Sequence, residues 1–173
     1  RTITVIIIST VLPGTVDREI RPLLNDYMSL CYNPFFIAMG TTIRDFLNPE
    51  FVLFGYDEEG AADTAEKFYS TLHSRPVYRT TIKNAELIKV SYNTFIGMKI
   101  TFVNTLMEIC HKTGCNVDEV TDAIKMANER LISDKYLTAG MGDGGGCHPR
   151  DNIAMSWLGN KIDISHNFFD DLM

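Results

Sequence analysis

"NAELIKVSYNTFIGMKITFVNTLMEICHKTG", residues 84–114, decides the architecture. Between Asn84 and Lys112 the chain holds no proline, and Gly97 is the only glycine there. Such a stretch predicts one long helix. Gly114 is placed to stop it as the left-handed residue just beyond a helix end. Ile88, Phe95, Phe102 and Ile109 recur every seven residues, and Leu87, Val103, Leu106 and Met107 broaden the apolar surface. A helix apolar on so many sides needs cover from neighbouring elements or from a second subunit. Lys89 and Asn93 interrupt the pattern, four residues apart and on one face. Burying such groups costs free energy unless they find partners. By themselves they read either as a solvated pair or as two donors that hold a developing oxyanion.

Upstream, residues 3–10 are β-branched and apolar on both faces, as in a central parallel strand. "LPGT" (12–15) breaks the strand, and "VDREIRPLLNDYM" (16–28) has helical spacing that Pro22 bends or interrupts. "SLCYNPFFIA" (29–38) and "FVLFGYD" (51–57) are further apolar runs, "EEGAADTAEKFYSTLHS" (58–74) is an amphipathic helix, and "PVYRT" (76–80) is a short strand. Strands alternating with helices predict an α/β chain with a mostly parallel sheet up to about residue 80. Downstream of the long helix, "NVDEVTDAIKMANERL" (116–131) predicts a second helix, with Asn116 and Glu119 as its capping pair. "ISDKYLTAGMGDGGG" (132–146) reads as a loop, and a third helix opens near Cys147. Ser9 and Thr10 end the first strand, and open α/β sheets take ligands at the carboxyl ends of their strands. The two hydroxyls are placed to meet a cofactor or substrate, or they form an ordinary polar turn.

"GDGGGCHPRD" (142–151) puts Cys147 where a glycine-rich loop becomes a helix. Backbone N–H groups and the helix dipole converge there and favour a thiolate. Asp151 lies four residues on and Arg150 lies beside it. Cys147 is therefore either a nucleophile or a buried thiol at a helix start. "GMGDGG" (140–145) fits GxGxxG, but it follows a polar loop and runs into a cysteine. A dinucleotide fingerprint must follow a strand and open a βαβ unit, so this reads as a flexible cradle for a substrate. Cys31, Cys110, Cys115 and Cys147 form no CxxC pair and no disulfide framework, which points to a reducing, cytoplasmic compartment. "CHKTGC" (110–115) has poor zinc spacing and reads as a helix terminus with buried thiols, so no metal is expected.

The 173 residues are 45% hydrophobic, ample for a buried core, and carry 22 acidic against 16 basic groups for a net charge of −6. That balance argues against a nucleic-acid partner. No apolar run reaches membrane-spanning length, so no membrane partner is expected. The chain opens inside a strand pattern and stops inside the amphipathic "HNFFDDLM" (166–173), so a piece of a longer protein is expected.

Taken in order, "STVLPGT", "NPFFIAMGTTIRDFLNPEFVLFG", "NAELIKVSYNTFIGMKITFVNTLMEIC" and "GGGCHPRD" resemble motifs of the UDP-glucose/GDP-mannose dehydrogenases. The resemblance covers nearly the whole chain, and the last two motifs make it specific. It implies the C-terminal half of a Rossmann-like parallel sheet over residues 1–80, as the second half of an NAD-binding domain. It implies a helical dimerisation domain built on one long helix over 81–147. Residues 148–173 would open the connection to a nucleotide-sugar-binding domain. The implied reaction oxidises the CH₂OH of a UDP- or GDP-linked sugar to a uronate in two hydride transfers to NAD⁺. Cys147 would form a thiohemiacetal and then a thioester.

The resemblance also assigns residues. Lys89 and Asn93 match an oxyanion-stabilising pair, and Asp151 matches the acid that orders water and the lysine. Thr10 matches a threonine near the nicotinamide and the catalytic water, with Ser9 beside it. Arg150 stands near the cofactor, where a lysine is usual. Phe36, Ile37, Tyr136, Leu137, Gly140 and Gly144 match positions lining the nucleotide sugar. Arg130 matches an arginine that approaches that ligand, often across a homodimer formed through helix 84–112. One departure stands out. The family's two glutamates of "PEFxxE" are Phe35 and Met39 here. Losing a positioned acid–base group costs about 10²- to 10⁴-fold. Either Asp151, His148 or another group substitutes, or thioester hydrolysis is slow, or the reaction stops at another oxidation level, or the protein is a sugar-nucleotide-binding homologue. A purely structural dimer module would leave Lys89, Asn93 and the loop before Cys147 unexplained.

Overall fold

The structure is a computed structural model that describes residues 3–38, 40–131, 153, 156, 157 and 159–172. It forms two compact units, Arg1–Phe95 and Ile96–Met173. In the first, β1 (Ile3–Ile7), β2 (Met28–Tyr32), β3 (Val52–Tyr56) and β4 (Val77–Thr80) lie side by side in chain order. β1 and β2 pair in parallel from Ile3↔Met28 to Ile7↔Tyr32, and β3 and β4 from Val52↔Val77 to Gly55↔Thr80. The α/β expectation holds, with one seam of opposite sense. β2 and β3 are antiparallel, joined at Cys31↔Tyr56 and Tyr32↔Gly55. The helix between them, α1 (Thr42–Leu47), has six residues. At 1.5 Å per residue such a helix reaches about 9 Å, well short of the roughly 17 Å of a five-residue strand.

Strand periodicity divides the core into two layers. Cys31, Val52 and Phe54 face α2 (Glu59–Tyr69), whose Ala61, Ala62, Ala65 and Tyr69 are buried against them. Leu30, Tyr32 and Leu53 point the other way, onto Val16 and onto Ile82 and Ala85 of α3 (Ile82–Thr113). Residues two apart on a strand share a face, so each run is apolar on both sides and covered on both. The predicted helix over 16–28 is a short distorted piece, a π-helical turn at Val16–Ile20 and a 3₁₀ turn at Arg21–Leu23. Pro22 has no N–H to donate and its ring crowds the carbonyl a turn earlier, so a regular helix cannot pass it.

α3 is a single helix of 32 residues, as the sequence pattern predicts. Gly114 ends it with φ +77°, and the Cys115 N–H closes on the Cys110 carbonyl at 3.0 Å. In the second unit, α4 (Val117–Lys125) is capped by Asn116, whose Oδ1 accepts the Asp118 N–H at 3.0 Å while its amide donates to Glu119 at 3.3 Å. α4 stops at Lys125 rather than Leu131. None of its residues is buried, and a short helix without tertiary cover is marginal. The C-terminal segment covers part of α3. Phe169, 3% exposed, stacks edge-on to Phe102, and Glu108 accepts the Ser165 N–H and hydroxyl at 2.8 Å each. Cys110 is buried but Cys115 is exposed, which corrects the expectation of two buried thiols at this terminus. No helix among the described residues is long and apolar enough to cross a membrane.

Candidate functional site

Lys89 is 6% exposed, an unusual place for an ammonium. Its Nζ donates to Asn93 Oδ1 at 3.3 Å and lies 4.7 Å from the centre of the Phe36 ring and 5.9 Å from that of Tyr92. One helical turn brings Lys89 and Asn93 together. Burial pulls the Lys89 pKa below its ordinary 10.5. The ring faces partly replace the lost water, since cation–π contacts are worth about 0.5–2 kcal/mol.

Phe36 reaches Lys89 because Asn33 fixes the segment that leaves β2. Asn33, 1% exposed, donates its N–H to Ile7 O at 2.7 Å and its side-chain amide to Leu53 O at 3.0 Å. The Tyr69 hydroxyl donates to Asn33 Oδ1. Past this anchor, Phe35 and Phe36 part to opposite layers. Phe36 packs on Phe51 and Tyr92 with ring centroids 4.8 and 4.7 Å apart. Phe35 packs on Phe46 at 5.3 Å, against the α2-side core. The hollow between this segment and α1 holds about 20 Å³, room for one water and no more.

Ser9 and Thr10 are exposed just beyond β1. The loop that carries them ends at Gly14, φ +83°, and is tied to α3 by Glu86. The Glu86 carboxylate accepts the Gly14 and Val16 N–H groups. Ile37 is 42% exposed, and Arg130 is exposed in the turns after α4. Cys147, Asp151, Arg150, Tyr136, Leu137, Gly140 and Gly144, with His148 and Met39, lie outside the described residues. The structure thus brings Lys89, Asn93 and Phe36 together. Glu86 and Tyr92 are additions that the sequence reading did not single out. The signal for Glu86 was its place one turn before Lys89, but an acid on a helix ordinarily reads as solvated. Among the described residues, no three His, Cys, Asp or Glu side chains gather as metal ligands would.

The UDP-glucose/GDP-mannose dehydrogenase family model for the NAD binding domain matches residues 1–73, and that for the central domain matches residues 83–173. GDP-mannose 6-dehydrogenase of Pseudomonas aeruginosa is 32% identical over 98% of this chain, and UDP-glucose 6-dehydrogenase YwqF of Bacillus subtilis is 32% identical over 95%. This chain spans 41% and 38% of their lengths. A crystal structure of a ternary complex of GDP-mannose dehydrogenase from Pseudomonas aeruginosa matches with a TM-score of 0.91 at 31% identity, over 98% of this chain and 41% of that one. Two domain models in the same order, and relatives 32% identical over nearly the whole chain, lead to one conclusion: this chain belongs to the UDP-glucose/GDP-mannose dehydrogenase family.

Proposed function

We propose that this chain is part of an NAD-dependent nucleotide-sugar 6-dehydrogenase that oxidises the CH₂OH of a UDP- or GDP-linked sugar to a uronate. The observation that carries this reading is Lys89, 6% exposed as a residue, its ammonium hydrogen-bonded to Asn93 and set over the Phe36 ring. A desolvated cation of this kind is costly for stability and well suited to an oxyanion that forms next to it. The cofactor fits the same unit. Ser9 and Thr10 expose hydroxyls at the carboxyl end of β1, where sheets of this class take ligands, and they would hold it together with Arg150. When bound, NAD⁺ takes up the electron pair released in each of the two oxidations.

The chain's own residues would do the rest. The Cys147 thiolate adds to the aldehyde carbon and forms a C–S bond, while Lys89 and Asn93 donate to the oxygen that gains charge. After the second oxidation a thioester remains on Cys147. Water, ordered by Asp151 with Thr10 nearby, adds to it, the C–S bond breaks, and the thiolate returns as the carboxylate leaves. Phe36, Ile37, Arg130, Tyr136, Leu137, Gly140 and Gly144 line the nucleotide sugar. Residues 1–80 serve the NAD-binding domain, 81–147 the dimerisation domain and 148–173 the connection beyond it. The protein is a homodimer through helix 84–112, and it works in the cytoplasm, consistent with the free thiols of Cys31, Cys110 and Cys115.

The full-length protein tests this. Cys147→Ser is expected to lower net oxidation to uronate by at least about 10³-fold, and turnover at the parent rate would overturn the mechanism. A second reading is favoured by Phe35, which sits as a ring against Phe46 where the family pattern has a carboxylate. In that reading thioester hydrolysis is slow. Intact-mass measurement after adding nucleotide sugar and NAD⁺ separates the two: a persistent acyl adduct on Cys147 marks stalled hydrolysis.

A further inference from the structure

We propose that Glu86 is a positioning residue that splints the Ser9–Gly14 loop to the turn of α3 carrying Lys89, an inference that rests on the reaction proposed above. Glu86 is 1% exposed, and among the described residues no ion pair neutralises it. An unpaired buried carboxylate is expensive to fold around, so its partners matter. Those partners are backbone: Oε1 accepts the Val16 N–H at 2.8 Å and Oε2 accepts the Gly14 N–H. Both donors are main-chain groups of the segment that leaves β1, so the carboxylate fixes the course of the chain itself.

The loop has one apolar anchor of its own, Val11, which is half-buried against the α3-side core. Ile8 is 49% and Leu12 69% exposed, and Ser9 and Thr10 are exposed between them. A turn from the Leu12 carbonyl to the Thr15 N–H shapes its end but ties it to no other element. Firm apolar burial resumes at Val16, which is fully buried in the α3-side core. Glu86 bridges that boundary. It stands three residues before Lys89, so a single helical turn sets both where the loop ends and where the ammonium sits. In the proposed reaction Lys89 donates to the oxygen of the reacting carbonyl and Thr10 lies near the water that attacks it, each from a different element. Glu86 touches neither the reacting atoms nor the cofactor, and it acts by keeping those two elements in register.

The experiment uses the full-length enzyme with Glu86→Gln. Glutamine has nearly the same shape, but it offers one acceptor and sets an NH₂ against the remaining backbone N–H. A misplaced reacting group should lower kcat by about 10- to 100-fold. KM for the nucleotide sugar should change by less than about threefold, because the loss falls on the reacting centre and not on uniform binding. Hydrogen exchange of the ligand-free protein should speed up at least about tenfold over residues 9–16 while residues 52–56 stay protected. If Glu86→Gln does not fold, Glu86→Asp keeps the charge and falls one methylene short, and the same pair of readouts applies. Unchanged exchange over 9–16 overturns the proposal, as does unchanged kcat despite faster exchange. Equal acceleration over 52–56 also overturns it, since that reports general loss of stability. The exchange measurement needs no turnover. A parent enzyme that oxidises no nucleotide sugar therefore overturns the proposed reaction, and exchange still decides whether Glu86 holds the loop.

Discussion

Lys89 shows how a residue acquires an environment that its neighbours in sequence do not supply. Spacing makes Lys89 and Asn93 a pair, but the Phe36 ring comes from a different part of the chain and lies 4.7 Å from the ammonium. The consequence for stability has a definite sign. Burial holds the folded pKa of Lys89 below its ordinary 10.5, so between those two values the unfolded chain binds more protons than the folded one. Stability then rises with pH across that window. Lys89→Met removes the buried charge while keeping an apolar stem. It should raise the urea midpoint relative to the parent at neutral pH, and the gap should close as the pH approaches 10.5. A gap that does not change with pH would show that the ammonium pays no desolvation cost. The same substitution should lower the oxidation rate about 10²- to 10³-fold, since it removes a donor to the oxyanion.

The start of α3 packs closely on β3 at Gly55. A Cβ built on Gly55 would lie 2.7 Å from both the Ala85 Cβ and the Ile82 Cα and 3.2 Å from the Thr81 carbonyl oxygen. Two of those three atoms are backbone and cannot swing aside. Gly55→Ala should cost about 1–3 kcal/mol by overpacking, read as a lower urea midpoint with an unchanged slope. If the midpoint does not move, the helix start is free to shift. In the sequence Gly55 is one residue of an apolar run, and nothing near it announces the helix that lies on it. The ends of α3 and α4 were legible for the opposite reason. Gly114 and Asn116 act on groups within a few residues of themselves. The length of α4 was not legible, because its apolar spacing continues beyond Lys125 while the tertiary cover that would hold it does not.

At the scale of the molecule, the described residues leave a stripe of α3 uncovered. Ile100, Val103 and Met107, at helical spacing, are 56%, 41% and 42% exposed, whereas Leu106, Ile109 and Cys110 are buried. Apolar surface in such a row is what a helical interface offers. In the homodimer we propose, this stripe is the contact. Val103→Asp combined with Met107→Asp should shift the full-length protein from dimer to monomer in sedimentation velocity, and an unchanged mass would place the interface elsewhere. The sheet tells a related story. Its strands alternate with helices as the pattern predicts, yet one pairing runs antiparallel. The apolar pattern of a strand is the same in either direction, so it leaves the sense of each pairing open.

The sequence by itself determined the long helix, its stop at Gly114, the cap at Asn116, the four strands and the polar pair Lys89 and Asn93. Each depends on periodicity or on hydrogen bonds between close neighbours along the chain. Only the tertiary structure decided the antiparallel seam between β2 and β3, the need for Gly55, the ring above Lys89 and the buried grip of Glu86 on Gly14 and Val16. Those depend on which distant segments share a face of the sheet, and burial by a remote element changes a side chain's energetics without altering the local pattern around it.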